Sequence, residues 1–392
     1  MVSLTHERKP DAPTRRSAGR RRPKADGWLL GCVLALVGLG LVMVYSSSIS
    51  FAERNIGDGS YYLWRQSIAV GLGMFLMYVT MRTPVRLWEA AGPYLLLGGM
   101  ALLVLVLIPG AGITVNGSSR WLRLGAINLQ PSELIKLILV VYVAGYFVRR
   151  QEELHNFTQG VFIISIVVVA IGMLLLQEPD LGAMVVISMT VLGMLFLAGV
   201  RFWHFGVVVV TGVVGMAILT LIAPYRFARV VGFLDPWADP FNSGFQLVQA
   251  LIAFGRGEWF GVGLGASVQK LYYLPAAHTD FIFAVTAEEL GLLGVLVVIV
   301  LFGILVTRAF LISRQAERVG LLYGARLAQG VGLLLGLQAI INMGVNMGAL
   351  PTKGLTLPFL SYGGSSILTS FIAVGLLLMV QRETRAHAWG VQ

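Results

Sequence analysis

The chain has 392 residues, of which 57% are hydrophobic and only 12% charged. A soluble domain carries about one quarter charged residues, so this composition excludes an ordinary globular enzyme and reads as a polytopic membrane protein. The net charge of +10 gathers at the N-terminus, which argues for a membrane surface and against nucleic acid as its partner.

Residues 1–27 hold Arg8, Lys9, Arg15, Arg16, Arg20, Arg21, Arg22 and Lys24 with no apolar period. They read as a disordered basic cytoplasmic tail. Long continuous apolar runs follow. They lack the two-residue alternation of a membrane barrel, so the spans are helices and the fold class is all-α. The pattern predicts a ten-span transmembrane helix bundle, with spans at 28–49, 64–80, 91–108, 131–148, 158–176, 182–199, 204–223, 281–307, 325–346 and 363–381. A transmembrane domain at 28–381 and a short cytoplasmic tail at 382–392 complete the expected organisation. The 47 glycines suit close helix packing, and Cys32 reads as core filler.

With the basic tail inside, Arg82, Arg86, Arg149, Arg150, Arg201, Arg308, Arg314, Arg318 and Arg326 fall in inner loops. This bias predicts that both termini are cytoplasmic. Three outer segments hold most of the other cations. The first is "GITVNGSSRWLRLGAINLQPSELIK", residues 112–136. Pro131 suits the first turn of a helix, and Glu133 and Lys136 share a face of it at i,i+3. The second is the long extracytoplasmic loop 224–280 between spans 7 and 8, in which "FQLVQALIAFGRG" has the spacing of a short helix. The third is "LPTKGLTLPFLSYGGSS", residues 350–366. Broken polar backbone of this kind is tolerated at membrane depth only where protein or a wet cavity lines it.

Asp280, in "LPAAHTDFIFAVTAEELG", stands at the mouth of the eighth span. Its position fits two readings equally, a cap for the helix or a carboxylate that does chemistry. Glu288 and Glu289 lie about 12 Å deeper along the axis. Acids at that depth mark either a functional path or ion pairs with a neighbouring helix. Glu178 and Asp180 in "QEPDLG" fit a turn and cap. The histidines are scattered, no zinc motif is present, and "GVGLGA" at 261–266 lacks the strand and helix of a dinucleotide site.

Acids (Glu133, Asp180, Asp280), cations (Arg120, Lys136, Arg226, Arg229, Lys270, Lys353) and glycine-rich backbone converge on the outer face. That mixture suits a phosphate-bearing, lipid-anchored substrate: cations hold a diphosphate while a carboxylate handles a proton.

The same segments resemble the SEDS family (shape, elongation, division and sporulation). "LPFLSYGGSS" at 357–366 is similar to its C-terminal signature. "NGSSRWLRLG", "LQPSELIK", "QEPDLG", "DPWADPFNSGFQLVQALIAFGRGEWFGVGLG" and "LPAAHTDFIFAVTAEELG" are similar to its other blocks, in family order. "GALPTKGLTLPFLSYGGSS" and "SVQKLYYLP" are closer to its division members than to its elongation members. The resemblance implies a ten-span helical bundle in the bacterial cytoplasmic membrane, enriched at the division septum. It implies a peptidoglycan glycosyltransferase that polymerises lipid II beside a class B penicillin-binding protein (an FtsI-like transpeptidase), with division regulators such as FtsQ, FtsL, FtsB and FtsN.

The family's essential aspartate maps to Asp280, and its interfacial pair to Arg120 and Trp121. Its cavity residues map to Glu133, Lys136 and Asp180, and Ser361 and Gly363 belong to the signature. Arg226, Arg229, Lys270 and Lys353 are the cations expected to face the diphosphate. A Mg2+ or Mn2+ ion held by Asp280 or by diphosphate oxygens is compatible with this chemistry, though nothing in the sequence requires it. Division members often carry a glutamate where this chain has Ala276, so any role for an acid there falls to Asp280. Two other classes stay open: a lipid II flippase, which needs ionisable groups along a path through the bilayer, and a non-catalytic division scaffold.

Overall fold

A computed structural model describes residues 26–388 apart from 116–117 and 125–126. Helices α1 (Gly27–Ile56), α2 (Tyr61–Arg82) and α3 (Val85–Leu107) lead into strands β1 (Gly112–Val115), β2 (Ser118–Leu124) and β3 (Ile127–Leu129). Then come α4 (Pro131–Arg149), α5 (Phe162–Gln177), α6 (Leu181–Leu197) and α7 (Phe202–Ile222). Two short helices, α8 (Pro224–Leu234) and α9 (Phe245–Gly257), stand in the long connection before α10 (Ile282–Arg318), α11 (Leu322–Asn346) and α12 (Gly364–Ala388).

Each predicted span coincides with one long helix. Among the described residues, eight helices are long and apolar enough to cross a membrane, α5 being counted together with the π-helical turn Phe157–Val161 that leads into it; α2 and the 17-residue α6 fall outside that set. The chain is therefore a multi-pass helical membrane protein. The bulk of the basic tail, residues 1–25, and residues 389–392 lie outside the described residues. Residues 382–388, expected as tail, continue α12. Asp26 caps α1 by accepting from the N–H groups of Trp28 (3.1 Å) and Leu29 (3.2 Å). Its carboxylate also pairs with Arg308 of α10 and accepts from Gln381 of α12 at 3.1 Å. One acid thus ties the start of α1 to α10 and α12.

A small three-stranded antiparallel sheet in the first outer segment is added to the expected helical bundle. β1 pairs β2 with Ile113 opposite Trp121, and β2 pairs β3 with Leu122 opposite Leu129. The Asn–Gly dipeptide at 116–117, set between segments that alternate polar and apolar, is the sequence signal for such a hairpin.

The most buried helices are α4, α11 and α12. Small residues let helices touch: a Cβ on Gly375 of α12 would lie 2.8 Å from the carbonyl of Met77 in α2. At the other extreme, α7 has no buried residue and stands at the periphery.

The long helix α10 is broken at Gly291 (φ 65°, ψ −165°), a conformation open only to glycine. The loop after α9 is stitched into the break. Val262 and Gly263 donate to the carbonyls of Glu288 and Glu289, while Leu292 and Leu293 donate to those of Glu258 and Trp259, all at 2.9–3.2 Å. These bonds satisfy backbone groups that a bilayer could not. The side chains of Glu288 and Glu289 fasten the same loop. Glu288 pairs with Arg256 at 3.2 Å and accepts from Ser267 and from the amides of Val268 and Gln269. Glu289 pairs with Lys270 at 2.7 Å and accepts from Ser46 of α1 at 2.7 Å. Both acids are buried and take the ion-pair reading.

Candidate functional site

A cleft of about 530 Å³ opens at the loop-rich end of the bundle. It gathers Arg120 from β2, Asp180 before α6, Arg226 and Arg229 from α8, Asp280 before α10, and Lys353 from the segment before α12. Met216 and Thr220 of α7 line one wall. Four cations and two carboxylates therefore share one space, although they come from five separate stretches of chain.

Asp280 does not act as a cap for α10. No side chain of its own segment caps α10. The N–H of Ala284 is accepted instead by Asn346 Oδ1 of α11 at 3.1 Å, and Thr279 Oγ1 turns back to the carbonyl of Ala276. The backbone carbonyl of Asp280 accepts from Asn342 Nδ2 at 2.9 Å and from Asn346 Nδ2 at 3.0 Å. Ser361 Oγ donates to the carbonyl of Thr279 at 2.6 Å, and the amide of Tyr362 donates to that of His278 at 3.0 Å. The backbone of 278–280 is thus clamped from α11 and from the signature loop. The Asp280 carboxylate, by contrast, makes no hydrogen bond or ion pair among the described residues and lines the cleft. Gly354 permits this, since a Cβ there would sit 3.1 Å from Asp280 Oδ2.

Burial pushes the Asp280 carboxyl up to about 7; the negative charges of Asp180 and Glu133 add to the rise, and Arg120 opposes it. Glu178, buried in the turn before α6, is pushed up to about 8 by burial first and by Asp180 second. Burial, with Arg229 nearby, lowers the Lys353 ammonium from its usual range. Asp180 is committed elsewhere: it caps α6 through the amide of Ala183 (3.0 Å) and accepts from Ser132 Oγ (2.9 Å). Arg120 is fixed by donating to the carbonyls of Glu178 (2.9 Å) and Pro179 (2.7 Å), so β2 is tied to the α5–α6 turn.

The other candidates lie outside the cleft lining. Lys136 bonds Glu133 at 2.8 Å, as the i,i+3 spacing predicts, and both are buried. Lys136 also donates to Gln338 Oε1 at 2.9 Å, whose Nε2 donates to the carbonyl of Thr356 at 3.0 Å. The pair therefore supports the segment that carries Lys353. Lys136→Ala leaves Glu133 buried without its cation and is expected to cost about 3–5 kcal/mol. A Glu133→Gln/Lys136→Met double variant should recover most of that loss in thermal unfolding of the detergent-solubilised protein; equal loss in both would assign the effect to packing.

Lys270, expected to face substrate, is buried with Glu289 and Ser46. Trp121 is half-buried in β2 opposite Ile113. Ser361 acts on the Thr279 carbonyl, and the amide of Gly363 reaches Gln66 Oε1 at 3.4 Å. Gln338, Asn342 and Asn346 were not singled out from the sequence. Their spacing, i, i+4 and i+8 on one face of an apolar span, was the available signal. No group of three or more His, Cys, Asp or Glu with metal-binding geometry occurs among the described residues.

The family model of the FtsW/RodA/SpoVE cell cycle proteins matches residues 27–386. A probable peptidoglycan glycosyltransferase FtsW of Nitrosococcus halophilus is 55% identical over 372 residues, covering 95% of this chain and 96% of that protein. That of Thioalkalivibrio sulfidiphilus is 54% identical, covering 93% and 91%. Among solved structures, a chain from work on the coordination of polymerization and crosslinking by a peptidoglycan synthase complex superposes with a TM-score of 0.75 at 30% identity, covering 92% of this chain and 99% of that one. The rod shape determining protein RodA of Thermus thermophilus superposes with a TM-score of 0.67 at 28% identity, covering 92% and 98%. A match over nearly the whole membrane domain, with more than half of the residues identical in full-length relatives, places this chain in the FtsW/RodA/SpoVE family.

Proposed function

We propose that this protein is a peptidoglycan glycosyltransferase that polymerises lipid II, and that Asp280 is the general base of the reaction. The observation that carries the reading is the cleft: a carboxylate without a hydrogen-bond or ion-pair partner among the described residues stands among Arg120, Arg226, Arg229 and Lys353. The loop-rich end faces the outside of the cytoplasmic membrane, the chain crosses the membrane ten times, and both termini face the cytoplasm. The bias of Lys and Arg toward the other end supports it.

The donor is a glycan α-linked to a polyprenyl diphosphate. The acceptor 4-hydroxyl attacks C1 of the donor sugar as its proton passes to Asp280. The new C1–O bond forms as the C1–O bond to the diphosphate breaks, and polyprenyl diphosphate leaves with the electron pair. One displacement inverts the anomeric centre and needs no covalent enzyme intermediate. The four cations stabilise the charge developing on the leaving diphosphate. The α7 wall, which has no buried residue, suits a substrate whose polyprenyl chain stays in the bilayer. A Mg2+ or Mn2+ ion bound to the diphosphate would add positive charge there, with Asp280 as its one candidate protein ligand; no step here depends on it.

The chain works in a septal complex with a class B penicillin-binding protein, a reading supported by its similarity to a subunit of a peptidoglycan synthase complex. FtsQ, FtsL, FtsB and FtsN are its expected regulators. The flippase reading is weakened because Glu288 and Glu289, the acids within the membrane span that supported it, are both tied up in ion pairs. The test is polymerisation of lipid II by the purified chain with its transpeptidase partner in detergent, where no leaflet remains to be crossed. Glycan strands are expected. Their absence would leave a flippase or a scaffold.

A further inference from the structure

Two irregular stretches of chain meet at the cleft, one ending in Asp280 and one carrying Lys353. Among the described residues no backbone hydrogen bond joins 279–280 to 353–357. Two side chains join them instead. Asn342 Nδ2, on α11, has two N–H groups and gives one to the carbonyl of Asp280 (2.9 Å) and the other to that of Leu355. Ser361 Oγ donates to the carbonyl of Thr279 at 2.6 Å and accepts from the amide of Leu357 at 2.8 Å. The stretches therefore lie side by side with two rungs between them. Each is also tied to α11 separately. Asn346, one turn on, donates to the Asp280 carbonyl at 3.0 Å, and Gln338, one turn back, donates to that of Thr356 at 3.0 Å.

The rungs bring a base and a cation into one frame. The amide of Leu355 donates to the carbonyl of Lys353 at 3.1 Å, so the two residues share a tight turn. Gly354 stands between them, and a Cβ on it would lie 3.1 Å from Asp280 Oδ2. The carboxylate thus rests against the segment that presents Lys353 to the cleft. Asn342 itself is buried in α11, one of the most buried helices, so the rung stands on a rigid support.

We infer that Asn342 is a positioning residue: by bonding both carbonyls it fixes the Asp280 carboxylate relative to Lys353, and so the base relative to the leaving diphosphate. In the displacement the base serves the incoming oxygen and the cation serves the outgoing one, so the reaction demands a set gap between them. A misplacement of about 1 Å can cost about 10²-fold in rate. The inference rests on the proposed glycosyl transfer. A buried asparagine can also do no more than satisfy carbonyls that irregular backbone leaves in apolar surroundings. That role, when lost, lowers stability but changes neither the rate of the folded molecule nor the interplay of charges in its cleft.

The probe is farnesyl diphosphate, a short polyprenyl diphosphate, titrated into the purified full-length protein in detergent at pH 8. Asp280→Asn removes a negative charge beside the cations and should tighten binding about fivefold or more. In an Asn342→Leu background, where both carbonyls lose their donor, the same change should tighten binding by less than about twofold. Asn342→Ser, which keeps one donor and adds no bulk, gives the same comparison if the leucine variant does not fold. With lipid II, the folded Asn342 variant should lose about 10–100-fold in kcat while KM stays within about twofold. An equal gain from Asp280→Asn with and without Asn342, no gain in the wild-type background, or a variant with the wild-type kcat would overturn the inference. A gain that needs Asn342, in a protein that makes no polymer from lipid II, would uphold the positioning of the carboxylate and overturn the glycosyltransferase reading instead.

Discussion

Asp280→Asn is expected to leave the protein folded and membrane-inserted while lowering lipid II polymerisation by about 10²–10⁴-fold, the usual worth of a general base. The amide is nearly the same size and accepts no proton. The clamps on residue 280 act on its backbone carbonyl, through Asn342 and Asn346, so they survive the change. pH separates the chemistry from the fold. The folded carboxyl sits near 7, above its ordinary value of 3.8. The protonated form is thus favoured by folding, and the stability this contributes is present below about 4 and lost as pH rises through about 7. At pH 8 the wild type carries a buried charge that the Asn variant does not, so the variant should unfold no earlier. Activity runs the other way, because the base must be ionised: the wild-type rate should rise through about pH 7 and level above it. Full activity of purified Asp280→Asn with its partner would remove the base assignment.

Gly291→Ala should strongly destabilise the loop-rich half of the chain. A Cβ at that position would lie 2.3 Å from the amide of Gly261 and 2.6 Å from the carbonyl carbon of Trp259, both of them backbone. Neither neighbour can rotate away. The φ and ψ of Gly291 are also closed to alanine, a strain of about 1–3 kcal/mol before any clash. Relief requires the stitch between the 258–263 loop and α10 to open, which strands four backbone hydrogen bonds. We expect a loss of at least about 3 kcal/mol in thermal unfolding, with protease cleavage appearing in the loop 258–280 before the bundle opens. A variant that melts with the wild type would mean that α10 is not broken there.

The helical spans were legible because membrane-length apolar runs leave the backbone no alternative to a helix. The cleft was legible in part. Asp280, Arg120, Arg226, Arg229 and Lys353 stood out as charges in polar, glycine-rich loops, and those loops do converge. Lys270 looked the same in sequence, and only the fold shows Glu289 at 2.7 Å. A one-dimensional reading cannot tell a charge aimed at a substrate from one buried with a partner nineteen positions away. The sheet around Trp121 was written in an Asn–Gly dipeptide between alternating segments, a short signal that the surrounding apolar runs outweigh. The glycines of "GVGLGA" gain a plain meaning from the structure: Gly261 and Gly263 adopt φ of 80° and 102° where the loop enters the break in α10.

The cleft's surplus of positive charge has a further consequence, for how a catalytic cycle ends. Arg120, Arg226, Arg229 and Lys353 outnumber Asp180 and Asp280, and their attraction does not cease once the sugar has been transferred. It is strongest for the spent carrier, whose terminal phosphate has gained charge in leaving. Stabilising a departing anion in this way slows its departure, so polyprenyl diphosphate should compete with fresh substrate and turnover should be paced by its escape. Raising the ionic strength would then speed release while weakening capture, and the rate would pass through an optimum in salt.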